Sequence, residues 1–263
     1  MTEPPFHWTH GPEDAPLLLC LHGIGSCADA FVPQQPLAER CGRLVAAWDA
    51  PGYRHSPDPE IEPGIDGWAD AAAELIRALR RTEADVLGVS WGGVTATRLA
   101  LRHPEVVRSL ILADSSVGSG TTPKRASAMR ARAGAMVEAG IGDFAASRAP
   151  LLVHPDTDPD LVAQVAALMI DSVRMPSYQW AANSMAEADH RDRLADIACP
   201  TLVVVGSDDA VTGPEAAHLL AAGIPGAEYA IIDRAGHLAN QERPEAFNDL
   251  VARFLATTDE PTG

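Results

Sequence analysis

Five consecutive residues, Gly88 to Gly92, place a serine between two glycines directly after an apolar run. This G-x-S-x-G pattern is typical of a nucleophile elbow, a sharp turn from a strand into a helix that exposes the serine hydroxyl. Glycines suit such a turn because a side chain at either position would obstruct the close packing of strand and helix. The pattern predicts that Ser90 is a nucleophile, although glycine-rich turns with a serine also occur as plain connections.

The segments on either side of the pentapeptide have the order that this turn requires. Residues 84–89 form a short apolar run typical of a buried strand, and residues 94–102 contain mostly helix-forming side chains before His103 and Pro104 end the pattern. The sequence therefore predicts strand, turn and helix in succession, with Ser90 at the turn.

A serine is a weak nucleophile at neutral pH unless a base accepts its proton. His237 lies just beyond a strand-like run at residues 229–232, and Asp208 and Asp209 follow the β-branched run at residues 201–205. Residues at the carboxyl ends of strands build the sites of α/β proteins. The sequence thus offers a serine, one of two adjacent acids and a histidine, in that order along the chain.

The chain resembles the α/β-hydrolase superfamily over nearly its whole length, and that superfamily has the same order of serine, acid and histidine. Residues 19–25 resemble the family's strand and His-Gly loop, and residues 48–56 resemble its D-x-P-G-x-G-x-S loop, with Arg54 where the family often has glycine. Residues 99–114 and 197–202 look most similar to enol-lactonase-like hydrolases and small esterases. Meta-cleavage carbon–carbon hydrolases share much of this pattern.

The resemblance implies a role for each candidate residue. Ser90 would attack a carbonyl carbon, His237 would accept and return its proton, and Asp209 would orient the imidazole. The family usually carries the acid three residues after the glycine at the strand end, which favours Asp209 over Asp208. The backbone N–H groups of Ile24 and Trp91 would stabilise the oxyanion.

Alternating strands and helices predict an α/β fold with a mostly parallel central sheet flanked by helices. The expected strands are residues 17–21, 44–48, 84–89, 109–113, 201–205 and 228–232, and the clearest helix is expected at residues 68–81. Residues 117–194 show Ala-rich helical stretches and no strand pattern. We therefore expect a core of residues 1–116 and 195–263 with an inserted helical cap at 117–194.

The cap is expected to cover the elbow and to select the substrate. More than half of its large apolar residues are expected to form the cap's own interior. As substrate-binding residues the sequence suggests Trp180, Met185, Tyr178 and Arg148, and Arg174 is a second arginine that could meet a carboxylate. A solvated surface position is nevertheless the default expectation for each arginine. The full apolar set is Met129, Met136, Phe144, Met169, Met175, Tyr178, Trp180 and Met185.

Composition narrows the partners. The formal net charge of −16 opposes binding to nucleic acid or to an anionic membrane surface, which favours a small-molecule substrate. No apolar run approaches the length of a membrane span, and residues 1–5 do not resemble a leader segment. The four cysteines and nine histidines lack metal-site spacings, so we expect no metal, no cofactor and a reducing cytoplasm. Assembly into a homo-oligomer is left open, and a short polar tail follows Thr257.

Three functions remain open on the sequence. The first is hydrolysis of an ester or lactone through an acyl-enzyme. The second is hydrolysis of a carbon–carbon bond with the same three residues. The third is a ligand-binding protein that keeps the fold with low turnover. A serine at the elbow disfavours chemistry that uses an aspartate nucleophile there.

Overall fold

Seven strands form one sheet in the computed structural model, which describes residues 4–259. The strands are β1 (His7–His10), β2 (Leu17–Leu21), β3 (Leu44–Trp48), β4 (Ala84–Val89), β5 (Val107–Ala113), β6 (Thr201–Gly206) and β7 (Glu228–Ile232). Their order across the sheet is β1-β3-β2-β4-β5-β6-β7, and only β1 runs antiparallel to its neighbour. The predicted α/β class with a mostly parallel sheet is confirmed.

Ten α-helices surround this sheet within the described residues. They are α1 (Leu37–Cys41), α2 (Gly64–Ala78), α3 (Trp91–Arg102), α4 (Pro123–Ala139), α5 (Ile141–Arg148), α6 (Pro159–Ser172), α7 (Ser177–Glu187), α8 (Gly213–Gly223), α9 (Ala239–Glu242) and α10 (Pro244–Asp259).

Side chains of the central strands pack alternately on the two faces of the sheet. Leu17, Leu19 and Leu21 of β2 lie in a cluster with α2, α3 and α8. Leu18 and Cys20 of the same strand lie in a second cluster with α1 and α10. Because successive side chains of a strand point to opposite faces, a parallel strand with helices on both sides is apolar throughout. This explains the continuous apolar runs in the sequence.

Most predicted strands agree with the structure, and the differences lie at ends and edges. Strands β2, β3, β4 and β7 have the predicted bounds, β5 begins two residues earlier, and β6 is one residue longer. The helix predicted at residues 68–81 spans Gly64–Ala78 instead. Strand β1 and helices α1, α7, α8 and α9 were not predicted. The polar tail after Thr257 is helical as far as Asp259, and residues 260–263 lie outside the described part of the chain.

Helices α4 to α7 lie between β5 and β6, and the chain forms no strand at residues 117–194. We call these four helices the cap helices. The division of the chain into a core and a cap domain at residues 117 and 194 stays a prediction.

A buried ion pair joins the strands on the side opposite the elbow. The carboxylate of Asp85, at the start of β4, accepts hydrogen bonds from Arg43 Nε at 2.9 Å and from Ser109 Oγ at 2.6 Å. Arg43 is 2% exposed and Asp85 is 0% exposed. Arg108 also binds Asp85, and Asp259 at the end of α10 binds both arginines. Removing one charge would leave the others poorly paired away from water.

We predict that Asp85→Ala lowers the free energy of unfolding by about 3 kcal/mol or more, because it leaves buried arginine charge uncompensated. Chemical denaturation measures this loss. Glu245→Ala is the control, since Glu245 pairs with Arg40 at the surface with its side chain 75% exposed, and it should cost less than about 1 kcal/mol. Equal losses in the two variants would contradict the prediction.

Candidate active site

Ser90 occupies a strained turn between β4 and α3. Its backbone has φ 56° and ψ −117°, a conformation that residues with a side chain rarely adopt. A Cβ atom at Gly88 would lie 2.3 Å from the carbonyl oxygen of Gly92, and one at Gly92 would lie 2.0 Å from that of Leu21. Both positions therefore exclude a side chain. The sequence motif forms the predicted elbow.

The three predicted side chains meet in one hydrogen-bonded chain. His237 Nε2 lies 2.8 Å from Ser90 Oγ, and His237 Nδ1 lies 3.0 Å from Asp209 Oδ2. With Asp209 ionised, we assign the imidazole proton to Nδ1, which leaves Nε2 free to accept from the serine hydroxyl. Both His237 and Asp209 are buried. This arrangement can transfer the serine proton to the imidazole.

Asp209, not Asp208, contacts the histidine. Burial alone would raise the pKa of Asp209, but hydrogen bonds from His237, from the Thr212 hydroxyl and from the Val211 N–H together hold that pKa well below its ordinary range. The Thr212 hydroxyl lies 2.5 Å from Asp209 Oδ2. Asp208 points away, with its side chain 45% exposed and bonded to the Ser207 hydroxyl. Of the two acids, Asp209 alone is in hydrogen-bond contact with His237.

The loop after β2 lies directly beside the serine. A Cβ atom at Gly23 would approach Ser90 Cβ to 3.4 Å. The next residue, Ile24, and the first helical residue, Trp91, both line the cavity above the serine. Their backbone N–H groups donate to no protein acceptor among residues 4–259. Two free donors on either side of Ser90 are what an oxyanion needs.

His22 supports this loop from below. Its Nδ1 donates to the Gly23 carbonyl at 2.8 Å, and its Nε2 accepts from the Ala50 N–H at 3.0 Å. Burial lowers the pKa of His22, so the ring is neutral and can make both bonds. The residue props the loop, as its place beside a glycine predicts, and does not reach the Ser90 hydroxyl.

Arg54, the departure from the family's glycine, keeps a left-handed backbone with φ 37°. Its N–H donates to the carbonyl of Ser172, the last residue of α6, at 3.1 Å. Its guanidinium pairs with Asp29 at 2.5 Å and with Asp171 at 2.7 Å. These partners offset an uncommon backbone conformation. The arginine therefore fastens a cap helix to the loop after β3.

A cavity of about 380 Å³ opens above Ser90 and His237. Of the four suggested substrate-binding residues, Met185, Tyr178 and Arg148 line it. Trp180 does not line it, because it packs against the apolar cluster of α2 and α3, so this suggestion is corrected. Arg174 also lies elsewhere, paired with Asp58 at 2.8 Å.

Half of the apolar cap residues contact the cavity. Met129, Met169, Tyr178 and Met185 line it, whereas Met136, Phe144, Met175 and Trp180 do not. Trp91 lines the cavity and also packs beneath the elbow. Its indole is buried edge-on against Trp68, and its Nε1 donates a hydrogen bond to Ser184 Oγ at 3.1 Å.

Asp114 supports the site and was missed from the sequence. Asp114 follows β5, is 0% exposed and accepts the N–H of Gly206 at 2.8 Å and that of Ala239 at 3.0 Å. Gly206 begins the turn that carries Asp209, and Ala239 follows the loop that carries His237. Asp114 therefore connects the turn that carries Asp209 to the loop that carries His237. The signal was available, since Asp114 ends a predicted strand as the Asp209 turn does.

The fold and the residues around the cavity define a class of protein. Residues 16–244 match the protein family known as alpha/beta hydrolase fold. The chain belongs to this family and is a hydrolase of the α/β-hydrolase fold.

Particular relatives span nearly the whole chain. It is similar to a pimeloyl-[acyl-carrier protein] methyl ester esterase from Neisseria meningitidis, 31% identical over 96% of this chain and 81% of that protein. It is also similar to 3-oxoadipate enol-lactonase 1 from Acinetobacter baylyi, 28% identical over 94% of this chain and 91% of that protein. A thermophilic esterase from Thermogutta terrifontis superposes with a TM-score of 0.85 at 26% identity, over 97% of this chain and 94% of that one.

The described residues contain neither a metal-binding cluster nor a helix suited to crossing a membrane. No group of three or more His, Cys, Asp or Glu residues in that part of the chain is arranged to hold a metal ion. Among the helices of residues 4–259, none has both the length and the apolar character needed to cross a bilayer.

We predict that the carboxyl of Asp114 makes stability depend on pH. Burial raises its pKa to about 7 from an ordinary 3.8, and the charge of Asp209 adds to the rise. The folded state then keeps a proton that the unfolded chain releases, so the contribution of Asp114 is complete below about pH 4 and declines as the pH rises to about 7.

Asp114→Asn removes the titrating group. Its amide can accept only one of the two backbone N–H bonds, and this loss is the same at every pH. The stability of the wild type relative to this variant should therefore fall between about pH 4 and pH 7, as measured by urea denaturation of both proteins. A difference that stays constant over this range would contradict the raised pKa.

Proposed function

We propose that this protein is a serine hydrolase that cleaves an ester or lactone of a small organic molecule through an acyl-enzyme. The observation that carries the proposal is the chain of contacts from Ser90 Oγ to His237 Nε2 at 2.8 Å and from His237 Nδ1 to Asp209 Oδ2 at 3.0 Å. The similarity to an esterase and to an enol-lactonase supports this substrate class.

Acylation uses the three side chains of the hydrogen-bonded chain and the two backbone donors. Ser90 Oγ attacks the carbonyl carbon while its proton passes to His237 Nε2, and Asp209 stabilises the imidazolium that forms. The oxyanion accepts hydrogen bonds from the N–H groups of Ile24 and Trp91. The imidazolium then gives its proton to the leaving alcohol oxygen, which departs from the acyl-enzyme.

Water completes the cycle by the same route in reverse. His237 removes a proton from a water molecule that attacks the acyl carbon, and the tetrahedral intermediate collapses to the acid and free Ser90. In a lactone the leaving oxygen stays tethered to the acyl group, so a single hydroxy or oxo acid is released.

The surroundings support a small substrate. The cavity of about 380 Å³ lies near the lower end of the range for sites that enclose small ligands. We propose that the cap helices close it as a separate domain. The four cysteines form no disulfide, which is in keeping with action in the reducing cytoplasm.

We predict that a fluorophosphonate adds once, at Ser90. The expected result is one covalent adduct in intact-protein mass spectrometry of the wild type and none with Ser90→Ala. Only a serine that is activated by a neighbouring base attacks the phosphorus atom of the fluorophosphonate. Ser115→Ala, which removes a neighbouring hydroxyl bonded to the Ser90 carbonyl at 2.8 Å, is the matched control and should keep the adduct. Labelling that survives Ser90→Ala would rule out the proposed nucleophile.

We further predict that Asp209→Asn lowers kcat by about 10⁴-fold, since an asparagine stabilises the wrong tautomer of the histidine. Asp208→Asn should change kcat by less than about threefold, because Asp208 does not contact the imidazole. Both variants are compared on a nitrophenyl ester that the wild type hydrolyses. Similar losses, or the larger loss with Asp208→Asn, would refute the assignment of the acid.

A further inference from the structure

Three arginines of the cap helices line the cavity that contains Ser90. Arg125 and Arg132 belong to α4, and Arg148 is the last residue of α5. Within residues 4–259, no carboxylate oxygen lies within 4.0 Å of a guanidinium nitrogen of any of the three. Most other arginines in this part of the chain have such a partner, as Arg130 on the same helix α4 has in Glu187.

Arg148 is the most exceptional of the three. Its Nε is buried and has no hydrogen-bond partner. Burial, together with the nearby charge of Arg132, lowers the pKa of Arg148 to about 10. Two cations thus face the same cavity close enough to repel each other. A buried cation without a partner is rare, because its desolvation is not compensated.

The composition makes this absence of acids informative. The chain has thirty-six acidic and twenty basic residues, so acids are abundant, yet none in the described chain pairs with these two arginines. A bound anion would supply the missing charge and accept the unused Nε donor. The cavity that these arginines line is the one that holds Ser90 and His237, so the anion belongs to the ligand of that site.

We propose that the substrate carries a free carboxylate in addition to its scissile ester or lactone, and that Arg148 and Arg132 bind this carboxylate. The inference rests on the proposed function, since it describes what enters the same cavity. A carboxylate suits the site because one guanidinium group can donate two parallel hydrogen bonds to its two oxygens, and the second cation adds to the attraction.

The apolar residues that line the cavity indicate what joins the two groups. The side chains of Met129, Met169 and Met185 line the cavity together with Leu152 and Val165. Apolar and flexible side chains of this kind suit a hydrocarbon segment. The substrate class is therefore a monoester or lactone of a short dicarboxylic acid, with the carbonyl at Ser90 and the carboxylate at the cap.

The test compares matched pairs of nitrophenyl esters. One member is the half-ester of a dicarboxylic acid with about four to eight carbons, and the other is the ester of the unbranched monocarboxylic acid of equal length. We expect the wild type to prefer the half-ester in kcat/KM by about tenfold or more. Arg148→Gln should abolish this preference, because it should lower kcat/KM for the half-ester by about tenfold more than kcat/KM for the monocarboxylic ester, mainly through KM.

Arg130→Gln is the matched control. It removes the same charge from the same part of the protein, but Arg130 does not line the cavity and its side chain is 46% exposed. The variant should keep the preference for the half-ester. An equal loss in Arg130→Gln and Arg148→Gln would reduce the effect to general electrostatic attraction and overturn a specific carboxylate site.

A binding measurement covers the case in which none of the esters is turned over. Glutarate or adipate should slow the fluorophosphonate labelling of Ser90 in the wild type but not in Arg148→Gln. Labelling that neither acid slows would overturn the carboxylate site. If inorganic phosphate protects Ser90 as well as the dicarboxylates do, the proposal of a carboxylate site is overturned in favour of a site for a phosphate group.

The two proposals fail in different ways. If Ser90 is not labelled at all, the serine hydrolase proposal fails, and thermal stabilisation by glutarate or adipate, lost in Arg148→Gln, still decides the carboxylate site. If Ser90 is labelled but the wild type shows neither preference nor protection, only the carboxylate site is overturned.

Discussion

The parallel pairing of β4, β5, β6 and β7 is the constraint on which the site depends. Neighbouring parallel strands end at the same edge of a sheet, so the residues that follow them come together. Ser90 follows β4, Asp114 follows β5, the turn with Asp209 follows β6, and the loop with His237 follows β7. Two of these residues are nearly 150 positions apart in sequence, and their side chains are in hydrogen-bond contact. The turn after each strand then only has to orient its side chain toward the others.

The parts that the sequence predicts are those whose signal is local. The elbow glycines at Ser90 and the apolar strands can be read from a few adjacent residues, and the central strands agree closely with the structure. Strand β1 escaped prediction because it is four residues long and half exposed at an edge. The place of Asp114 after a predicted strand could have marked it as a candidate, but its role depends on Gly206 and Ala239, which only the folded sheet brings near. The position of Trp180 depends likewise on how α7 packs.

Charge is distributed unevenly between the body of the protein and its cavity. The chain has a formal net charge of −16, and such a charge repels anions at long range. Arginines in the cavity wall reverse the sign locally, where water is partly excluded and salt screens less. Meanwhile Arg54 and its acidic partners hold the end of α6 against the core. The cap helices thus contribute both an attachment to the core and a local positive field.

The backbone at Ser90 sets a limit on how this protein can change over time. Holding a serine at φ 56° costs about 1 to 3 kcal/mol, which the surrounding sheet and helix must supply. Glycine would adopt this conformation without strain. Selection for heat tolerance alone would therefore favour glycine at this position and erase the hydroxyl, whereas selection for turnover opposes it. Stability and reactivity are in direct conflict at this single residue, and a lineage released from its substrate would be expected to lose the serine early.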